Sequence, residues 1–274
     1  MTKRALLVGI NYGGTENELN GCINDVINMR RVLIERYQYL PENIVVLRDD
    51  ISDGLLKPTR ANIVTNLRQL VSLSHNSSEI WVHYSGHGST IRDTNGDEKS
   101  GKDSVIVPVD YETTGVISDD TLFNIIRTSS CPTIAIFDSC NSGTICDLQW
   151  SFPRKIRKKR TIFKRIKNNK KRVPNRSIFT MSGSRDYQTS ADVYDKQNKA
   201  YGGALTNALL QCMQNLQYNG NIFTLYSSTC NLLKKEGFSQ IPLLSASSAS
   251  PNFTLTGTKP LQYQSPKQLS MQFH

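Results

Sequence analysis

The sequence predicts an α/β fold in which a mainly parallel central sheet is flanked by helices. Short apolar runs at 5–10, 80–84 and 133–137 show little polar alternation, the pattern of strands buried on both faces of a parallel sheet. Segments between and beyond them repeat apolar residues at helical spacing. Strand and helix then alternate along the chain, and right-handed crossovers turn such alternation into a helix-covered sheet. At 274 residues the chain can bury a full core without disulfide staples.

The first strand, 5–10, leads to a helix at 20–37 whose Val26, Met29, Val32 and Leu33 share one face. A second strand is expected at 43–47. The helix at 59–73 follows Pro58 and repeats Ile63, Leu67, Leu70 and Val71. Strands 80–84 and 133–137 bracket a short helix from Ser118 through Ile126, with Asp119 and Asp120 in the first turn, where the helix dipole favours acids. A strand at 177–181, helices at 203–215 and 223–235, and a last strand at 241–245 complete the pattern. In such sheets sites form beyond the carboxyl ends of strands. The turns after 84 and after 137 are therefore the places to look for chemistry.

Composition narrows the class. The N-terminal apolar run is six residues, too short for a signal core or a membrane span, so a soluble intracellular protein is expected, in cytoplasm or nucleus. Six cysteines (22, 131, 140, 146, 212, 230) form no CxxC pair and no zinc-ligand spacing, as expected of reduced thiols. The net charge of +10 belongs to one segment. Thirteen Lys and Arg lie between 151 and 176 with no acid among them, while the rest of the chain has twenty basic against 23 acidic residues. A run of this kind reads as a solvated insertion that divides the chain into 1–150, 151–176 and 177–274.

Two turns carry reactive groups. The run Ile80-Trp81-Val82-His83-Tyr84 ends in Ser85-Gly86-His87-Gly88, and Ile134-Ala135-Ile136-Phe137 ends in Asp138-Ser139-Cys140-Asn141-Ser142-Gly143. A Cys and a His presented this way are the minimum apparatus for thiol acyl transfer, because the thiolate attacks and the imidazole shuttles its proton. His83, inside a strand, reads as structural; His87, between two glycines, leaves backbone room for a substrate. The other cysteines read as packing residues. Gly96-x4-Gly101-Lys102 imitates a phosphate loop but continues with Asp103 where Ser or Thr is required, and Asp93-x-Asn95-x-Asp97 lacks the EF-hand glycine. Both belong to a polar hairpin loop at 93–102.

These turns resemble the catalytic signatures of metacaspases, the caspase-fold peptidases that cut after Arg or Lys. The resemblance runs on through 5–12 (ALLVGINY), 19–25 (LNGCIND), 103–111 (DSVIVPVDY) and 181–192 (MSGSRDYQTSAD), in order along nearly the whole chain. The signature that caspases carry around their nucleophile is absent. The resemblance implies a caspase-like fold, with 1–150 as the larger part bearing the dyad and 177–274 as the smaller part completing the same domain. It implies Cys140 as nucleophile, His87 as general acid and base, and the backbone N–H groups of Gly88 and Cys140 as the oxyanion hole. One departure stands beside the nucleophile, where the family commonly has His and this chain has Asn141.

By the same resemblance Asp25 and Asp138 are the acids of a pocket for a cationic P1 side chain, with Cys22 and Ser85 lining it. A buried cation needs a carboxylate partner. Taken alone, the two acids also suit a solvated helix and turn. Asp103, Asp119, Asp120 and Asp147 match the Ca²⁺ ligands of calcium-activated metacaspases, and hard oxygen donors suit that ion; Asp119 and Asp120 are equally good first-turn residues in any helix. An activating or structural Ca²⁺ is the cofactor implied, with no organic cofactor.

The basic segment admits three readings: a solvated insertion, a contact for nucleic acid or an anionic surface, or a substrate of the enzyme itself. The last makes the chain a self-processing zymogen, with Arg154, Lys155, Arg157, Lys158, Lys159, Arg160, Lys164, Arg165, Lys167, Lys170, Lys171, Arg172 and Arg176 as candidate cleavage sites. The reading adopted is a calcium-activated cysteine endopeptidase without a long prodomain, a monomer by family expectation, acting on proteins and peptides with Arg or Lys at P1. The competing class is a catalytically weak scaffold that binds nucleic acid or acidic partners through the basic segment.

Overall fold

The structure, a computed structural model, describes residues 2–92, 101–139, 145–146, 148–157, 160–168, 173–183, 192–195 and 200–258. Strand β1 (Thr2–Gly9) leads to helix α1 (Cys22–Glu35), and β2 (Ile44–Arg48) to α2 (Arg60–Ser72). Strand β3 (Ser77–Ser85) is followed by a hairpin of β4 (Gly88–Arg92) and β5 (Lys102–Ile106), the one-turn helix α3 (Tyr111–Thr114), β6 (Ile117–Ser118) and α4 (Asp119–Ile126). After β7 (Thr133–Asp138) come β8 (Trp150–Ser151), the hairpin of β9 (Arg154–Arg157) and β10 (Arg160–Phe163), β11 (Ile166–Lys167) and β12 (Ile178–Ser182). The hairpin of β13 (Asp192–Asp195) and β14 (Ala200–Gly203) feeds α5 (Ala204–Asn215); β15 (Asn219–Asn221), α6 (Ile222–Lys235), β16 (Leu243–Ala246) and β17 (Thr254–Thr256) follow.

Eight strands form one sheet in the order β11-β8-β16-β12-β7-β3-β1-β2. From β2 to β12 the strands run parallel, as the apolar runs predict. The last part differs: β16, β8 and β11 join antiparallel, so the sheet is mixed. Strand periodicity sorts the core. Ala5, Leu7, Trp81, Ile134 and Ile136 point to the face covered by α1, α5 and α6, while Leu6, Val8, Val82, Ala135 and Phe137 meet α2 and α4. Leu205 and Leu209 of α5 are wholly buried on the first face, where truncation to Ala costs about 2–5 kcal/mol. Ser118 and Thr59 cap their helices, each accepting a backbone N–H from three residues on.

The basic segment is not the free insertion that its charge alone suggests. Its strand β8 pairs with β16, and β11 pairs with β8. The reason is the aromatic residues spaced among the cations. Phe152 is buried, and the Phe163 ring lies 5.3 Å from Phe223 and 5.1 Å from Tyr226. Apolar anchors pin the segment to α6 while Lys155, Lys164, Arg165, Lys167 and Arg176 remain exposed. Candidates Lys158, Lys159, Lys170, Lys171 and Arg172 lie outside the described residues. Among the described residues no helix is long and apolar enough to cross a membrane, and no two cysteines are joined by a disulfide.

Candidate active site

Ser85 and Asp138 stand opposite each other at the ends of the neighbouring parallel strands β3 and β7. The chain therefore leaves the sheet twice at one level, and His87 and Cys140 each follow two residues later. Cys140, with 141–144, lies outside the described residues; the chain leading to it is described as far as the fully buried Ser139. Period-two alternation puts Ser85, His83 and Asp138 on the sheet face covered by α1 and α5, and Tyr84 on the other.

His87 is held from several sides. Its backbone N–H donates to Tyr12 Oη at 3.0 Å, and Tyr84 Oη donates to its carbonyl at 2.7 Å. Tyr12 Oη in turn donates to the Val107 carbonyl at 2.6 Å. Burial, with Tyr84 alongside, raises the Tyr12 phenol well above its ordinary range, so its hydroxyl stays neutral. The Tyr12 ring also packs on the imidazole, with centroids 4.7 Å apart. A Cβ on Gly86 would lie 2.7 Å from Tyr84 Oη, which explains the glycine. The imidazole Nε2 lies 2.7 Å from the Asn17 carbonyl. A carbonyl only accepts, so Nε2 carries the hydrogen and Nδ1 is the basic nitrogen of the neutral ring. Gly88, expected in the oxyanion hole, is the first residue of β4 and pairs with Ile106.

The two acids of the expected P1 pocket come together at the start of α5. Asp25, 1% exposed on α1, receives the Ser85 hydroxyl at 2.6 Å and the Gly203 N–H at 2.9 and 3.0 Å to its two oxygens. Asp138, 4% exposed, accepts at Oδ2 from both the Thr206 N–H and its hydroxyl, each at 2.8 Å. A Cβ on Gly203 would run into Asp138 Oδ2 and lie 2.8 Å from Asp25 Oδ2, so both carboxylates converge on one glycine. The approach of α1 to this corner also needs glycine, since a Cβ on Gly21 would lie 2.7 Å from Gly202 Cα. These are buried carboxylates at a helix N-terminus, where N–H groups and the dipole favour negative charge, rather than solvated surface acids. Cys22 begins α1 and is buried beside this corner.

Beneath them, His83 Nε2 is 3.1 Å from Thr206 Oγ1. Because that hydroxyl donates to Asp138, it accepts from His83, and a polar chain runs His83 to Thr206 to Asp138. Burial alone lowers the His83 pKa to about 3, so the ring is neutral. The structural reading of His83 agrees with this placement. Tyr12, Asn17, Gly203 and Thr206 carried no role in the sequence reading. Tyr12 lay within a recognised segment, but no local pattern ties a tyrosine or a backbone carbonyl to a histidine about seventy residues away.

Of the four expected Ca²⁺ ligands, Asp103 and Asp119 are buried, Asp120 is half-buried, and Asp147 lies outside the described residues. Val105 of β5 pairs with Ser118 of β6, which carries Asp103 to the level of the α4 start. The donors are all carboxylate oxygens, a chemistry that fits a hard cation. Among the described residues, no three His, Cys, Asp or Glu are grouped closely enough to hold a metal.

Comparison with known proteins places this geometry. A family model described as "Metacaspase, peptidase C14 domain" matches residues 3–149. Metacaspase-1 of Saccharomyces cerevisiae is 35% identical over 291 aligned positions, covering 89% of this chain and 66% of the yeast protein. The chain thus spans about two thirds of the length of that relative. Metacaspase-1B of Aspergillus oryzae is also 35% identical, with 89% and 68% covered. Among solved structures, Caspase-1 from Spodoptera frugiperda superposes with a TM-score of 0.58 at 12% identity, covering 89% of this chain and 87% of that one. A protein from Geobacter sulfurreducens gives 0.59 at 20% identity over 95% of both chains. With the family model matching more than half of its length and 35% identity over most of it, the chain belongs to the metacaspase family of C14 peptidases, on a caspase-like fold.

Proposed function

We propose that this protein is a cysteine endopeptidase that cuts after Arg or Lys. The observation that supports it most is the common level of Ser85 and Asp138 in the β3–β7 ladder, since these strand ends lie two residues before His87 and Cys140 in the chain. In this reading His87 Nδ1 takes the Cys140 proton as the sulfur attacks the scissile carbonyl, and the Gly88 and Cys140 N–H groups receive the oxyanion. The imidazolium, steadied through Nε2 by the Asn17 carbonyl, then protonates the leaving amine. Water attacks the acyl-enzyme with His87 again as base, and the second product leaves. Asp25 and Asp138, held by α5 and by Ser85, face the substrate's P1 cation across the same corner, with Cys22 as part of the wall.

Ca²⁺ is the proposed activating ion, held by Asp103, Asp119, Asp120 and Asp147, and it takes no part in bond cleavage. Self-processing in 151–176 is proposed because exposed Lys and Arg lie between β7, the strand that leads to the nucleophile, and β12. Cleavage of otherwise identical fluorogenic peptides with Arg, Lys or Asp at P1, with and without Ca²⁺, tests the reading. Turnover of the Arg and Lys peptides, lost in Cys140→Ala, is expected. Turnover that survives in Cys140→Ala, or that favours Asp, would refute it.

A further inference from the structure

Gln240 lies just ahead of β16, and the pairing of Leu243 with Ser182 carries it to the catalytic end of the sheet. It is 4% exposed, and neither its Oε1 nor its Nε2 has a hydrogen-bond partner. A buried amide unsatisfied at both ends is rare and calls for an explanation. Its surroundings supply one. The point where Gly183 would carry a Cβ lies 2.8 Å from Gln240 Nε2 and 3.3 Å from Asp138 Oδ1. Glycine at 183 thus leaves a gap between a neutral amide and the carboxylate whose other oxygen Thr206 holds.

The gap matters because the two basic side chains make different demands. An ammonium brings three donors, which Asp25, Asp138 and the Ser85 hydroxyl are enough to receive. A guanidinium brings five N–H donors in a flat fork and no acceptor, so at least one further acceptor is needed at the same depth. We propose that Gln240 is that acceptor: its amide, bound at neither end, turns over so that Oε1 replaces Nε2 at the gap, its carbonyl receives an N–H of a P1 arginine, and the residue sets the preference for Arg over Lys. The inference rests on Asp25 and Asp138 forming the P1 pocket.

The test is the ratio of kcat/KM for two fluorogenic peptides that differ only in Arg or Lys at P1, measured on one preparation of each variant. A ratio within one preparation does not depend on the fraction of protein that folds. Gln240→Met is expected to lower the Arg-to-Lys ratio on the order of ten- to hundredfold, the effect of removing a hydrogen bond to a charged group. Gln240→Glu keeps an acceptor and is expected to keep or raise the ratio. A Gln240→Met enzyme with an unchanged ratio, both peptides slowed alike or neither slowed, would overturn the assignment while leaving the P1 pocket intact. A wild-type enzyme that cuts neither peptide, or an Asp138→Asn variant that cuts both as well as wild type, would instead remove the pocket reading and this proposal with it.

Discussion

Two histidines four residues apart show how placement divides one side chain into two roles. His87 lies beyond the sheet with its tautomer set by a backbone carbonyl, whereas His83 is sealed beneath Asp25 and Asp138 as a neutral donor. His83 should therefore leave a mark on stability. Its folded pKa of about 3 lies below the ordinary value near 6.5, so between those limits the unfolded chain binds the extra proton. Stability is expected to fall as pH drops from 6.5 toward 3, by up to about 1.4 kcal/mol per unit from this residue, with no slope from it above 6.5. Urea midpoints across that range should show a shallower decline in His83→Gln; identical slopes would contradict the assignment. Tyr12→Phe keeps the ring on His87 but removes the hydroxyl that joins the His87 N–H to Val107. We expect about 1–2 kcal/mol lost in urea melts and kcat lowered about tenfold with KM unmoved, which steady-state kinetics on the Arg peptide would read.

At the scale of elements, the strands of the parallel half and the helix faces were legible because apolar continuity and 3.6-residue spacing are local properties. The direction of β16 was not legible, since a strand has the same composition whichever way it runs. The anchoring of the basic segment was not legible for a related reason: charge is visible along the chain, but the contacts of Phe152 and Phe163 with α6 are not. Its strands bear on self-processing. Arg154, Lys155, Arg157, Arg160 and Lys167 lie within ladders, and a peptidase that takes extended substrates must unpair them first. Fragments from active wild-type protein, mapped by mass spectrometry, are expected to begin after other candidates of the 151–176 run. First cuts after Arg154, Lys155, Arg157, Arg160 or Lys167 would show that these ladders give no protection.

For the molecule as a whole, β8 and the two-residue β11 lie beyond β16, covering an edge that would otherwise offer pairing groups to a second copy. A monomer is expected by light scattering, before and after cleavage. Calcium is expected to act on the whole fold: if it binds the folded state alone, a concentration a hundred times its Kd adds about 2.7 kcal/mol. Thermal melts should rise with Ca²⁺ in Cys140→Ala, which removes self-cleavage from the readout, and much less when Asp119→Asn is added. Equal shifts in the two proteins would remove Asp119 from the site.

What the sequence by itself determined was the class of fold, the two strands that precede His87 and Cys140, and the family, since these rest on runs of adjacent residues whose order is their meaning. Only the tertiary structure decided which groups meet across long separations. It brought Asp25 to Gly203, Tyr12 and Asn17 to His87, and Gln240 to the gap at Gly183. The physical reason is that a hydrogen bond or a buried charge is satisfied by whatever lies within about three ångströms, and sheet order, rather than chain order, sets that neighbourhood.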